Sequence, residues 1–196
     1  NHISNISNDA GGVIEGTGYT TGLLSNNAGA SLLVSTGGFS LGQPLANAGT
    51  INLIGPASTL FGGAITNTGT LRGDGMVTNA VANSAGGQII ADSGKTLVVS
   101  NMTAANTGTI NLQGGTLVAN ALDVLSTGEL TGSGTMQANI ANAGSIDTTG
   151  QLTVNLSAPL NGACGNTGTR AADQGGMLAL TGYVALPAFD NTGGVI

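Results

Sequence analysis

A five-residue phrase, Asn-x-Gly-x-(Ile/Leu), returns throughout this chain, and its recurrence restricts the fold more than any other feature. It stands at Asn47–Ile51, Asn67–Leu71, Asn106–Ile110 and Asn142–Ile146. Looser copies begin at Asn8, Asn27, Asn83, Asn166 and Asn191, while Ser126–Leu130 keeps the Gly and the apolar residue but not the Asn. From position 47 onward the anchors are separated by 20, 16, 23, 20, 16, 24 and 25 residues. The series itself repeats. A shift of 59 places lays Asn47 on Asn106, Gly69 on Gly128, Gly73 on Gly132 and Gly75 on Gly134. The same shift lays Val81–Asn83 on Ile140–Asn142, which points to duplication of a three-turn block. At the ends, Asp190–Ile196 resembles Asn8–Ile14. Either the array continues there or a larger repeat begins again, and both readings place the C-terminus inside the pattern.

Between anchors the chain reads as short strands. Thr50–Ile54, Gln88–Ala91, Thr96–Ser100, Thr109–Gln113 and Gln151–Leu156 alternate or run apolar between Gly, Asn and Ser. No window sustains a helical apolar stripe, and the frequent glycines would penalise one. Short strands at a period near 20 residues predict an all-β parallel β-helix, or β-solenoid. One turn cannot bury its own apolar face, but turns stacked at about 4.8 Å pair every strand with those above and below. Ile51, Leu71, Ile89, Ile110, Leu130 and Ile146 then form one inward aliphatic column. Gly49, Gly69, Gly108, Gly128 and Gly144 mark a recurrent corner that needs either positive φ or close backbone approach. Asn47, Asn67, Asn83, Asn106 and Asn142 are expected to hydrogen-bond one another and the backbone along the stack. The prediction is a single segment over residues 1–196, most regular over 47–156, with irregular coils or an insertion over 160–190. It would make about nine or ten coils and a rod about 45 Å long. The competing fold, a glycine-rich β-sandwich or jelly roll, predicts irregular spacing and does not account for the in-phase shift.

Composition narrows the function. There are 35 glycines, aromatics are 3%, and Trp is absent, so small residues are expected to carry much of the packing. Hydrophobic residues still reach 40%, which argues against disorder. The net charge is -6, with Arg72, Lys95 and Arg170 as the sole Lys and Arg residues. That excludes a nucleic-acid surface or a basic anchor to anionic lipid. No apolar run is long enough for a membrane-spanning helix.

At the repeats the chain resembles the filamentous-haemagglutinin-like exoproteins of two-partner secretion and the autotransporter-type repeat adhesins of bacteria. Ala105–Leu112 and Leu130–Gly134 carry that resemblance, which covers about Asn47 to Leu156. The first 40 residues and Leu160–Pro187 fit it poorly. The resemblance implies a right-handed parallel β-helix, export to the cell surface, and a structural or adhesive role. Neighbouring copies stacked end to end, or a host, surface or glycan receptor, would be the partners.

Chemistry has few footholds. Nine carboxylates are present, and the shift places Asp74 opposite Ser133 and Glu129 opposite Thr70. Both are then expected near one corner, about three rungs or roughly 14 Å apart, too far for a glycosidase pair. Arg72 with Asp74, and Asp92 with Lys95, read as solvated local charge pairs. His2 is the only histidine and has no triad or metal partner in sequence. The dense Gly-Gly-x-Gly-x-Asp rhythm of calcium ladders is missing, so an isolated calcium would have to use Asp9 or Asp190. Cys164 is either a small side chain in a glycine turn or one half of an intermolecular disulfide. Thr50, Thr109 and Ser145 form a column, but without the paired Thr-x-Thr regularity of an ice-binding face. Tyr19, Tyr183, Phe39, Phe61 and Phe189 look scattered, which argues against an aromatic binding face. The expectation is a non-enzymatic rod with no cofactor and no metal. The alternative is a shallow glycan-binding or polysaccharide-processing β-helix.

Overall fold

A computed structural model gives the fold, and it describes residues 5–102, 106–156, 169–172 and 177–182. The chain opens with β1 (Ile6–Asn8), β2 (Val13–Thr20), β3 (Leu24–Asn26) and β4 (Ser31–Leu41). It continues through β5 (Leu45–Asn47), β6 (Thr50–Gly62), β7 (Ile65–Asn67) and β8 (Thr70–Asn83). Next come β9 (Gln88–Asp92), β10 (Thr96–Met102), β11 (Thr109–Val124) and β12 (Glu129–Asn142). The last four are β13 (Ser145–Thr148), β14 (Gln151–Leu156), β15 (Thr169–Ala172) and β16 (Met177–Gly182). Every pairing between these strands is parallel. Parallel pairing of segments so close in sequence requires the chain to circle once between each strand and its partner, and the result is a parallel β-solenoid.

Three rows of strands run along the axis, and each contributes an inward column. On the first, Ile14, Leu32, Ile51, Leu71, Ile89, Ile110, Leu130 and Ile146 lie in direct register. This column spans about seven turns. On the second, Phe39, Leu60, Val77, Val99 and Ala119 are aligned. On the third, Leu24, Leu45, Ile65 and Val81 are aligned. Among the described residues the core is therefore mainly aliphatic, built from Leu, Ile and Val with some Ala and Met and one buried Phe. Small residues do not carry it, contrary to the expectation from glycine content. Glycine serves the corners instead, and stacks of mostly aliphatic residues fill the narrow interior with little need of aromatics.

Residues 6–41 join the same ladders as the regular region, since Ile14 and Leu32 preserve the column where the corner motif is obscured. Near the other end, β15 pairs with β13 and β16 with β14, so the stack includes residues 169–172 and 177–182. The segments that contain His2, Cys164, Asp173, Tyr183, Phe189 and Asp190 lie outside the described residues.

The duplication is visible in the backbone. β8 and β12 are both 14 residues long and begin 59 positions apart. Gly73 and Gly132 have φ of 114° and 99°, and Gly75 and Gly134 have 143° and 141°. A Cβ on Gly73 would collide with the carbonyl of Leu53, and one on Gly132 with that of Leu112. This equivalence predicts that residues 48–106 can be excised in phase, joining Asn47 to Thr107 and keeping an Asn-x-Gly corner. The shortened chain should retain its β circular dichroism, and small-angle scattering should show a rod shorter by about 14 Å, three rungs at the sheet spacing. Loss of the β signal would show that the blocks are not interchangeable.

Candidate functional site

The most elaborate polar arrangement is the corner between the third and first strand rows. Asn8, Asn26, Asn47, Asn67, Asn83 and Asn106 are 0–6% exposed and lie one above another. Each Nδ2 donates to the Oδ1 of the next. The distances are 2.8 Å from Asn8 to Asn26 and 2.7 Å from Asn26 to Asn47. They are 2.7 Å from Asn47 to Asn67, 2.8 Å from Asn67 to Asn83, and 2.7 Å from Asn83 to Asn106. The second N–H of the amide is turned to backbone. Asn8 reaches Ser31 O, Asn26 reaches Thr50 O, Asn47 reaches Gly49 O and Thr70 O, and Asn67 reaches Gly69 O and Gln88 O. These bonds hold the bend of one rung to the strand that starts the next. Buried amides are tolerated because their donors and acceptors are matched.

The corner glycines work by close approach. None of Gly49, Gly69, Gly108, Gly128 and Gly144 has positive φ. A Cβ on any of them would fall closer than 3.0 Å to backbone of the rung alongside: Asn27 O and Ala30 O for Gly49, Gly49 O for Gly69, Gly87 O for Gly108. Asn106 O blocks Gly128, and Leu125 O and Gly128 O block Gly144.

Two corner lengths exist, and sequence spacing hides one of them. The short form is Asn-x-Gly, at residues 47–49, 67–69, 106–108 and 142–144. The long form inserts two more residues and closes with a backbone bond from the fourth turn residue to the first. These bonds are Gly12 N to Asp9 O, Ala30 N to Asn27 O, Gly87 N to Ser84 O and Gly128 N to Leu125 O, at 2.7–3.0 Å. Three of them use Ala-Gly with φ of 79–84° at the glycine, the requirement of a type II turn. The ladder residue of the second rung is therefore Asn26 and not Asn27, whose side chain instead donates to Asp9 Oδ1 and Ser7 Oγ. Likewise the residue standing in the Asn column before Gly128 is Val124, not Ser126.

Val124 ends the continuous ladder. It pairs with Asn106 on one side and Asn142 on the other, is 1% exposed, and offers no polar group. Asn142 thus shares the column's register but lies beyond the break. Val124→Asn would insert an acceptor for Asn106 Nδ2 and a donor directed at Asn142. The new hydrogen bonds should offset most of the lost apolar burial. We expect a stability within about 1 kcal/mol of the parent, against a loss of about 3 kcal/mol or more for the equally buried Val99→Asn, which has no such neighbours. Urea denaturation of the two variants checks this. Equal losses would mean that the column position confers no special tolerance of amide.

Charges are also rearranged relative to expectation. Arg72 does not pair with Asp74. It crosses to the adjacent rung, where Nη2 meets Asp92 Oδ1 and Nε meets Asp92 Oδ2 at 3.2 Å. Lys95 approaches the same carboxylate at 3.7 Å. Asp74 instead accepts from the backbone N–H of Thr96 at 3.2 Å. The local Asp92–Lys95 pair is therefore present as expected, and Arg72 adds a cross-rung contact to the same carboxylate, which is only 8% exposed. Glu129 and Asp74 do not share a corner: Glu129 is in register with Thr109 at the start of its row, and Asp74 with Ile54 near the other end. Among the described residues no group of three or more His, Cys, Asp or Glu is placed to hold a metal ion. No helix among them is long and apolar enough to cross a membrane.

The aromatic residues are less scattered than they look. Tyr19 is in register with Ser40, and Ser40 with Phe61, so two exposed rings share one outward column two rungs apart. Phe39 faces the core.

No family model, curated protein or solved structure matches the chain.

Proposed function

We propose that this chain is a structural and adhesive segment of a bacterial surface or secreted protein, a stiff rod that works without catalysis. The observation that carries this reading is the Asn ladder. It commits a buried amide on rung after rung to axial cohesion, where the same side chains at a ligand site would point outward. The three aliphatic columns run parallel to it, so resistance to bending and to axial pulling is shared by core and corner. A parallel stack also leaves strand groups at its terminal rungs that can pair with further rungs. We therefore include end-to-end continuation, within a longer chain or between copies, in the reading.

The test is cryo-electron microscopy of the parent protein on its native surface, paired with an adhesion assay of cells from which residues 1–196 have been deleted. The expected result is an extended rod with a rung repeat of about 4.8 Å and weakened attachment of the deletion strain. Discrete particles free of any surface, or unchanged attachment, would overturn it.

A further inference from the structure

We propose that the outward face around Tyr19 and Phe61 binds an uncharged, extended β-1,4-linked polysaccharide, with sugar rings stacked on the two aromatic side chains. This deepens the adhesive part of the reading above by naming a ligand class and a place for it. Tyr19 is 54% and Phe61 41% exposed, and both sit on the column Tyr19–Ser40–Phe61. Two strand spacings, about 10 Å along the rod, separate their backbone positions. Two sugar units of an extended β-1,4 chain span a comparable length and return the same ring face, so one chain lying along the axis can meet both aromatics in a single pose. A hydrophobic ring face with a polar rim suits a pyranose, which presents axial C–H groups to the ring and hydroxyls to the sides.

The surroundings fit that ligand. Between them in the column stands half-buried Ser40, and Thr59 and Thr78 are half-buried and exposed on the neighbouring positions. Met76, 40% exposed and in register with Thr59, extends the apolar surface beside Phe61. Gly38 has φ of +108° and no side chain, and the Phe61 ring edge lies 3.1 Å from where its Cβ would stand. The missing side chain lets the ring lie against the sheet. The strand stretches that make this face, residues 17–20, 37–41, 58–62 and 76–80, contain no charged residue, although the chain carries a net charge of -6. A neutral glycan is therefore matched in charge, and an acidic one would be repelled by the rest of the rod.

The purified chain would be titrated with cellohexaose, with the aromatic ring protons followed by NMR. The expected result is a saturable shift of the Tyr19 and Phe61 resonances, with affinity lowered about tenfold or more in Tyr19→Ser and in Phe61→Ser. Both variants should keep the parent's circular dichroism, since both side chains are on the surface. Leu125→Ser, at an exposed position elsewhere, should bind as the parent does. Absence of any shift, or equal affinity in all four proteins, would overturn the proposal. Self-association abolished by the same two substitutions would overturn it too, by assigning the face to a second copy of the chain. Failure here would leave the rod reading standing, because that reading is tested on cells by shape and attachment.

Discussion

Replacing Asn67 with alanine is expected to destabilise the solenoid by about 3 kcal/mol or more, a large loss for one exchange of a polar side chain. The amide of Asn67 takes part in four bonds: it accepts from Asn47 and donates to Asn83, Gly69 O and Gln88 O. Its removal takes the amide acceptor from Asn47 Nδ2, which keeps only its longer bonds to Gly49 O and Thr70 O, and leaves Oδ1 of Asn83 without its donor, in a corner where both residues are 0–1% exposed. Leaving buried groups unmatched is more damaging than losing the bonds themselves. A second substitution makes the argument specific. With Asn67 already absent, Asn83→Ala removes one stranded acceptor and creates another at Asn106, so the number of unmatched amide groups does not rise. The double variant should therefore lose less than the two single losses added together, by about 1 kcal/mol or more. Denaturant titration of the four proteins measures this. Strict additivity would mean that the amides act as independent corner contacts and not as a ladder.

Gly69→Ala should be at least as damaging, for a steric reason. The added Cβ would meet Gly49 O, Ala48 C and Ala48 O, each closer than 3.0 Å and each backbone, so no side chain can swing aside. The rungs themselves must separate, which stretches backbone hydrogen bonds such as Thr70 N to Gly49 O at 2.8 Å. A loss of more than about 3 kcal/mol is expected, together with faster amide hydrogen exchange on the rungs flanking the substitution. Gly94→Ala is the matched control. Gly94 has φ of +70° but nothing within 4 Å of the added atom, so only the left-handed conformation is penalised, by about 1–2 kcal/mol. If the two variants behaved alike, conformation and not close approach would explain the glycines.

The contrast also shows which parts of this molecule can be read from its sequence. The aliphatic column from Ile51 to Ile146 and the short corners follow from a fixed phrase, because inward placement and corner geometry are set within five residues. Asn26 and Val124 do not, because a two-residue lengthening of the turn moves the ladder position without altering the glycine that marks it. The Arg72–Asp92 clamp and the Tyr19–Phe61 column lie further out of reach. They depend on registers accumulated over 20 and 42 positions, through corners whose lengths vary. Local chemistry is legible wherever the rung repeats itself. Contacts between rungs become legible only when every turn length is known.

The hydrogen bonds from Asn8 to Asn106 all point the same way, each Nδ2 toward the higher-numbered rung. A single amide cannot turn over within such a row, since it would set N–H against N–H on one side and oxygen against oxygen on the other. Reversal is collective or does not happen, and carboxamides held in one sense polarise one another. The solenoid thus has an inner direction that its outline does not reveal, with an acceptor end at Asn8 and a donor end at Asn106. A rung added beyond Asn8 prolongs the row only if its own amide faces the same way. Growth past that end would join head to tail and would discriminate against a reversed neighbour.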